Sequence, residues 1–121
     1  MNIPPSSLAS DLGAILNYDD ALSDVTIVVE GRGIKLHKSI LGSRCEYFRN
    51  MFSSGMSESY ASTITLPGVR YRVFLALCEY LYTDQINNCE FAMELLLESE
   101  KMSLVRLSAL CQRYFNTLLD F

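Results

Sequence analysis

Between residues 25 and 36 the chain alternates with period two on both sides of a glycine-containing turn, a pattern that suits strands and not helices. Val25, Ile27 and Val29 alternate with Thr26 and Val28, then Glu30-Gly31-Arg32-Gly33 supplies the turn and Ile34 and Leu36 resume the alternation. Successive side chains of a strand point to opposite faces, so this spacing predicts a β hairpin over 24–29 and 33–37 with one apolar face. A brief third strand is expected at Thr63-Ile64-Thr65-Leu66, stopped by Pro67 and Gly68.

The other segments read as helices. Pro4-Pro5 and two serines precede Leu8, Leu12, Ile15 and Leu16, which recur at helical spacing until Tyr18, Asp19 and Asp20 end the pattern. This amino-terminal helix carries one narrow apolar face, which either folds back on its own domain or covers a partner subunit. Ser43 and Glu46 have capping-box spacing ahead of Tyr47, Phe48, Met51 and Phe52. Val73, Phe74, Leu77, Cys78 and Leu81 make a stripe broad enough for a central core helix. Asn87 and Glu90 form a second candidate capping box, before Phe91, Ala92, Leu95 and Leu96; a last helix carries Leu107, Leu110, Cys111, Tyr114, Phe115 and Leu118.

At 121 residues the chain suits one domain, read here as an amino-terminal helix and linker over 1–20 and a mixed α/β (α+β) domain over 21–121. Half the residues are apolar and 20% are charged, which predicts a packed globular unit. Ten basic against fourteen acidic residues give a net charge of −4 with no Lys/Arg cluster, so no nucleic-acid partner is expected. No segment approaches the roughly 20 apolar residues of a membrane span, so no membrane partner is expected either. Cys45, Cys78, Cys89 and Cys111 form no CxxC pair and each lies among apolar residues, which predicts buried free thiols and an intracellular, reducing setting, cytoplasmic or nuclear.

No cofactor, metal or catalytic set is expected. Zinc would need four convergent ligands, and the lone His37 lies in a different kind of segment from the cysteines. Asp24 and His37 lack a nucleophile in a glycine-rich elbow, and Gly31 and Gly33 flank a hairpin turn without a Walker pattern.

Taken in order, Leu22-Ser23-Asp24-Val25, Leu36-His37-Lys38, Leu41, Ser43, Tyr47-Phe48, Met51-Phe52, Ile64 with Leu66, and Phe74 with Leu81-Tyr82-Thr83 resemble the BTB (POZ) domain family over roughly residues 20 to 119. The resemblance implies a small sheet against a cluster of helices, usually a homodimer, with Asp24, His37 and Lys38 in structural roles. Leu8, Leu12, Ile15 and Leu16 are then the candidate dimerisation residues. Met56-Ser57-Glu58 resembles the hydrophobic-x-Glu pattern of BTB adapters that bind a cullin scaffold, which marks Met56, Glu58 and Tyr60, with Leu95 and Met102 from the helical end, as candidate cullin contacts. The implied function is a protein-interaction module linking a substrate receptor to a cullin-type ubiquitin ligase. Corepressor recruitment and purely structural self-association are the alternatives, with the tetramerisation branch used by potassium channels ranked below the dimer. No Kelch, MATH, ankyrin or zinc-finger segment is evident, so the substrate-selecting part is expected elsewhere.

Overall fold

The structure, a computed structural model, describes residues 2–17, 21–55, 61–87 and 90–119. Along them run α1 (Leu8–Asn17), β1 (Val25–Val29), β2 (Arg32–Leu36), α2 (Lys38–Arg44), α3 (Glu46–Ser53), β3 (Thr63–Thr65), α4 (Tyr71–Thr83), α5 (Ala92–Lys101) and α6 (Val105–Leu119). The strands make one small mixed sheet in the order β2-β1-β3, packed against the helices as an α+β fold. β1 and β2 are antiparallel, with Val25 opposite Leu36 and Val29 opposite Arg32, while β3 runs parallel to β1 with Ile64 beside Ile27. Alternation decides what each face holds: Val25, Ile27, Val29, Ile34, Leu36 and Ile64 are buried, and Lys35, Thr63 and Thr65 are exposed.

The hairpin turn is tighter than the four residues expected from sequence. Only Glu30 (φ 52°) and Gly31 (φ 76°) lie between the strands, and pairing resumes at Arg32. Two left-handed residues in a two-residue loop match the twist of the flanking strands. Glycine adopts this conformation freely, but for Glu30 it costs roughly 1–2 kcal/mol. That cost is offset across the fold, because the Glu30 carboxylate accepts a 2.6 Å hydrogen bond from the backbone N–H of Tyr71, the first residue of α4. Arg32 adds a second tie, its guanidinium lying 3.8 Å from the centroid of the Tyr71 ring.

The expected capping box at Ser43 and Glu46 does not form. Ser43 lies inside α2 with its hydroxyl donating back to the Ser39 carbonyl, and the extended Cys45 (φ −141°, ψ 118°) separates α2 from α3. Cys45 serves both helices: its N–H donates to the Leu41 carbonyl and its own carbonyl accepts from Arg49 N–H, each at 2.9 Å. The second expected box fails as well. Phe91 stands at the N-cap of α5, and the Asn87 amide bonds to the Glu79 carboxylate of α4.

α4 is the core of the domain. Val73, Phe74, Leu77, Cys78, Tyr80, Leu81 and Tyr82 are all buried, and Arg72 alone of its residues is exposed. A helix that apolar on nearly every side must be surrounded, and α4 packs against α1, α2 and α5. It ends at Asp84, whose left-handed backbone (φ 62°) lets its N–H reach the Tyr80 carbonyl at 2.7 Å. The Asp84 carboxylate then holds Arg44 Nη2 at 2.6 Å and Arg106 Nε at 3.1 Å. α5 and α6 form a helical hairpin through Ser103 (φ 57°), tied where the Ser99 and Ser108 hydroxyls meet at 2.7 Å. On α6 the expected apolar face is only partly core: Leu107 and Cys111 are buried, but Leu118 is 52% exposed.

Two stability measurements follow from this packing. Leu77 is fully buried, so Leu77→Ala should lower unfolding free energy by about 2–5 kcal/mol in urea melts, and a change under about 0.5 kcal/mol contradicts its placement. The Arg44 hydrogen bond, followed by the charges of Arg106 and Arg44, holds the Asp84 carboxyl below its usual value of 3.8. A depressed carboxylate stabilises the fold fully above its unfolded pKa and loses that contribution as pH falls below it. Asp84→Asn, which keeps a side chain tolerant of the left-handed backbone, should therefore be less stable than the parent at pH ~6, by under about 1 kcal/mol per exposed pair. The gap should shrink as pH drops below about 4; a gap independent of pH would dissociate it from the charge.

Candidate functional site

Asp24, His37 and Lys38 meet at the seam between the hairpin and α2. The chain leaves β2 at Leu36, and His37, extended at φ −123°, sits at the N-cap of α2, where its carbonyl accepts from Ile40 and Leu41 N–H. Its side chain does not cap; the Asp24 carboxylate supplies that bond from across the hairpin, accepting from Lys38 N–H at 2.8 Å. His37 is 5% exposed, and the Tyr82 hydroxyl of α4 accepts its backbone N–H at 3.0 Å while sharing a 2.8 Å hydrogen bond with its Nδ1. The Lys38 ammonium lies 5.4 Å from the centroid of the Phe52 ring. The seam thus fastens hairpin, α2 and α4 to one another.

The four candidate dimerisation residues divide. Leu12, Ile15 and Leu16 are half-buried against the chain's own core, whereas Leu8 is 65% exposed. α1 lies close on α4: a Cβ at Gly13 would come within 3.0 Å of Thr83 Cγ2. A groove of about 530 Å³ runs between α1, α2 and the end of α4, with Leu8, Leu12, Ile40, Leu81 and Tyr82 in its walls.

Of the candidate cullin contacts, Met56, Glu58 and Tyr60 lie outside the described residues, in the stretch between α3 and β3. Leu95 and Met102 are placed differently from the expectation. Leu95 is 1% and Met102 8% exposed, both within the core cluster, because the inward stripe of α5 is spent on α4 and α6. The residues α5 turns outward are Met93 and Leu97, 59% and 52% exposed, which reading its apolar stripe alone passes over.

Cys45, Cys78 and Cys111 are buried thiols outside any disulfide, and Cys89 lies outside the described residues. Burial pushes the Cys78 thiol far up; it also pushes Cys45 up, against the lowering effect of backbone N–H groups of Phe48 and Tyr47. Among the described residues no group of His, Cys, Asp and Glu is arranged to hold a metal ion, and no helix is long and apolar enough to cross a membrane. The ion network of Arg44, Asp84 and Arg106 was not singled out from sequence, since its members lie 40 and 22 residues apart.

A model of the BTB/POZ domain matches residues 14–119. Human Kelch-like protein 22 is 33% identical over 100 residues, which are 83% of this chain and 14% of that protein. Kelch repeat and BTB domain-containing protein 4 of Pongo abelii is 33% identical over 97 residues, 79% of this chain and 19% of that protein, so the chain spans less than a fifth of these relatives. Among solved structures, the BTB (Tramtrack and Bric a brac) domain of human Gigaxonin matches with a TM-score of 0.72 at 22% identity, over 94% of this chain and 96% of that one. The BTB domain of zebrafish PATZ1 gives 0.72 at 20% identity, over 97% and 98%. At such identities the two structures speak to the fold, and the match to the family model decides membership: the chain belongs to the BTB/POZ domain family of protein-interaction modules.

Proposed function

We propose that this domain is the dimeric adapter part of a longer protein and links a substrate receptor to the cullin scaffold of a ubiquitin ligase. The observation that carries the reading is Met56-Ser57-Glu58, an apolar-x-Glu order between α3 and β3, in a chain whose curated relatives are far longer Kelch-named proteins. An apolar side chain can fill a partner's pocket while a nearby acid sets the register, and Tyr60 adds an aromatic of the kind enriched at interfaces. With Leu95 and Met102 buried, Met93 and Leu97 are the α5 residues available to the same partner; four apart, they are neighbours on the helix surface. Three buried thiols without a disulfide accord with an intracellular setting.

Self-association is part of the proposal. Exposed Leu8 stands beside the groove between α1, α2 and α4, and a two-fold dimer would cover both copies of that surface with one contact. Sedimentation at micromolar concentrations should show a dimer, and Leu8→Glu should shift it to a folded monomer whose melting temperature, unlike the parent's, does not rise with protein concentration. A parent that sediments only as monomer removes the dimer from the proposal.

Calorimetry against a cullin amino-terminal domain tests the adapter reading. The parent should bind, and Met56→Ala should lose about 2 kcal/mol or more if it is an interface anchor, with fold and oligomeric state unchanged. Equal affinities for the parent, M56A and E58A would remove the motif as the explanation. No binding at high micromolar concentrations would favour corepressor recruitment or self-association alone.

A further inference from the structure

A groove of about 390 Å³ separates α6 from the segment following α4, sharing only Asp84 with the groove beside Leu8. Arg106, Leu110, Arg113 and Thr117 bring it a single stripe of α6, spaced by three to four residues, with Tyr114 beside Arg113, and Gln85 and Asn87 stand on the opposite wall. Its lining is basic in a chain of net charge −4: two arginines face one acid, Asp84, which already holds Arg44 and Arg106. Arg106 spends its Nε on Asp84, which fixes the guanidinium at the α4 end, while 59% of its side chain is exposed. Arg113 is exposed, and among the described residues its guanidinium carries no ion pair. Half-buried Leu110 and Tyr114 give the stripe an apolar middle.

From this geometry we infer that the groove is a docking site for an acidic peptide that places two carboxylates on Arg106 and Arg113. The arginines are seven residues apart on α6, about 10 Å along its axis, and Arg106 is held by Asp84, which suits two separate carboxylates better than one small anion. A polyproline II segment with acids at every third residue presents carboxylates on one edge about 9 Å apart. Nucleic acid fits less well, since a long polyanion would meet the acidic remainder of the chain.

The test is a titration of the 15N-labelled domain with a four-repeat Glu-Pro-Pro peptide, followed by amide NMR. The expected result is saturable shifts confined to 85–87 and 106–117, weakened by salt and absent with the matching Gln-Pro-Pro peptide. Arg113→Glu should weaken binding by at least about tenfold, ~1.4 kcal/mol, while melting like the parent. The proposal fails if no shift appears at millimolar peptide, if shifts map elsewhere, if the glutamine peptide binds equally or if R113E binds unchanged. Saturation of the same residues by inorganic phosphate, or preferential binding of an oligothymidylate, would also overturn it by assigning the groove to a different anion.

Discussion

Burial of α4 on nearly every side is the constraint on which the rest of the structure depends. A thirteen-residue helix with only Arg72 exposed cannot exist at a surface, so other elements must surround it. α1, α2 and α5 pack directly on it, and the apolar face of the sheet joins the same core cluster. Their lengths and orders are secondary to that requirement: β3 is three residues long and still contributes Ile64 to the core.

Polar groups then fix the helix ends, two of them from residues that flank β1. Asp24 satisfies the first N–H of α2, Glu30 the first N–H of α4, and Asp84 closes α4 while gathering Arg44 of α2 and Arg106 of α6. Capping bonds of this kind contribute about 0.5–2 kcal/mol each, against roughly 1.5–3 kcal/mol for burying one large apolar side chain in the centre. Their value lies in direction. The Asp24 and Glu30 carboxylates reach their helices, and the Asp84 carboxylate its arginines, only when the elements are correctly docked, so these bonds select one arrangement among the packings that burial alone would tolerate.

Period is what the sequence made legible. The alternation at 25–29 and 34–36 located the hairpin, and the stripe of Val73, Phe74, Leu77, Cys78 and Leu81 located the central helix, because both patterns are local consequences of backbone geometry. Caps were misread where they depend on distance. Ser43 with Glu46, and Asn87 with Glu90, have the right spacing but not the right position, since Cys45 breaks the chain between α2 and α3 and Asn87 turns to Glu79. Leu95 illustrates a third limit. An apolar residue on an amphipathic helix is ambiguous between core and interface until the helix's partners are known, and α4 and α6 claim that face of α5, leaving Met93 and Leu97 outside.

α1 resolves the same ambiguity by dividing its face. Leu12, Ile15 and Leu16 help to cover the core and Leu8 does not, so one narrow stripe serves the monomer and leaves an apolar residue at the mouth of the adjoining groove. That groove and the basic one along α6 share Asp84, which lines both. Through its two oxygens it ties Arg44, a wall of the first, to Arg106, a wall of the second. A change at Asp84 therefore alters both surfaces together and cannot distinguish their partners. Leu8 and Arg113 each belong to one groove only, and separating self-association from acidic-peptide docking rests on them.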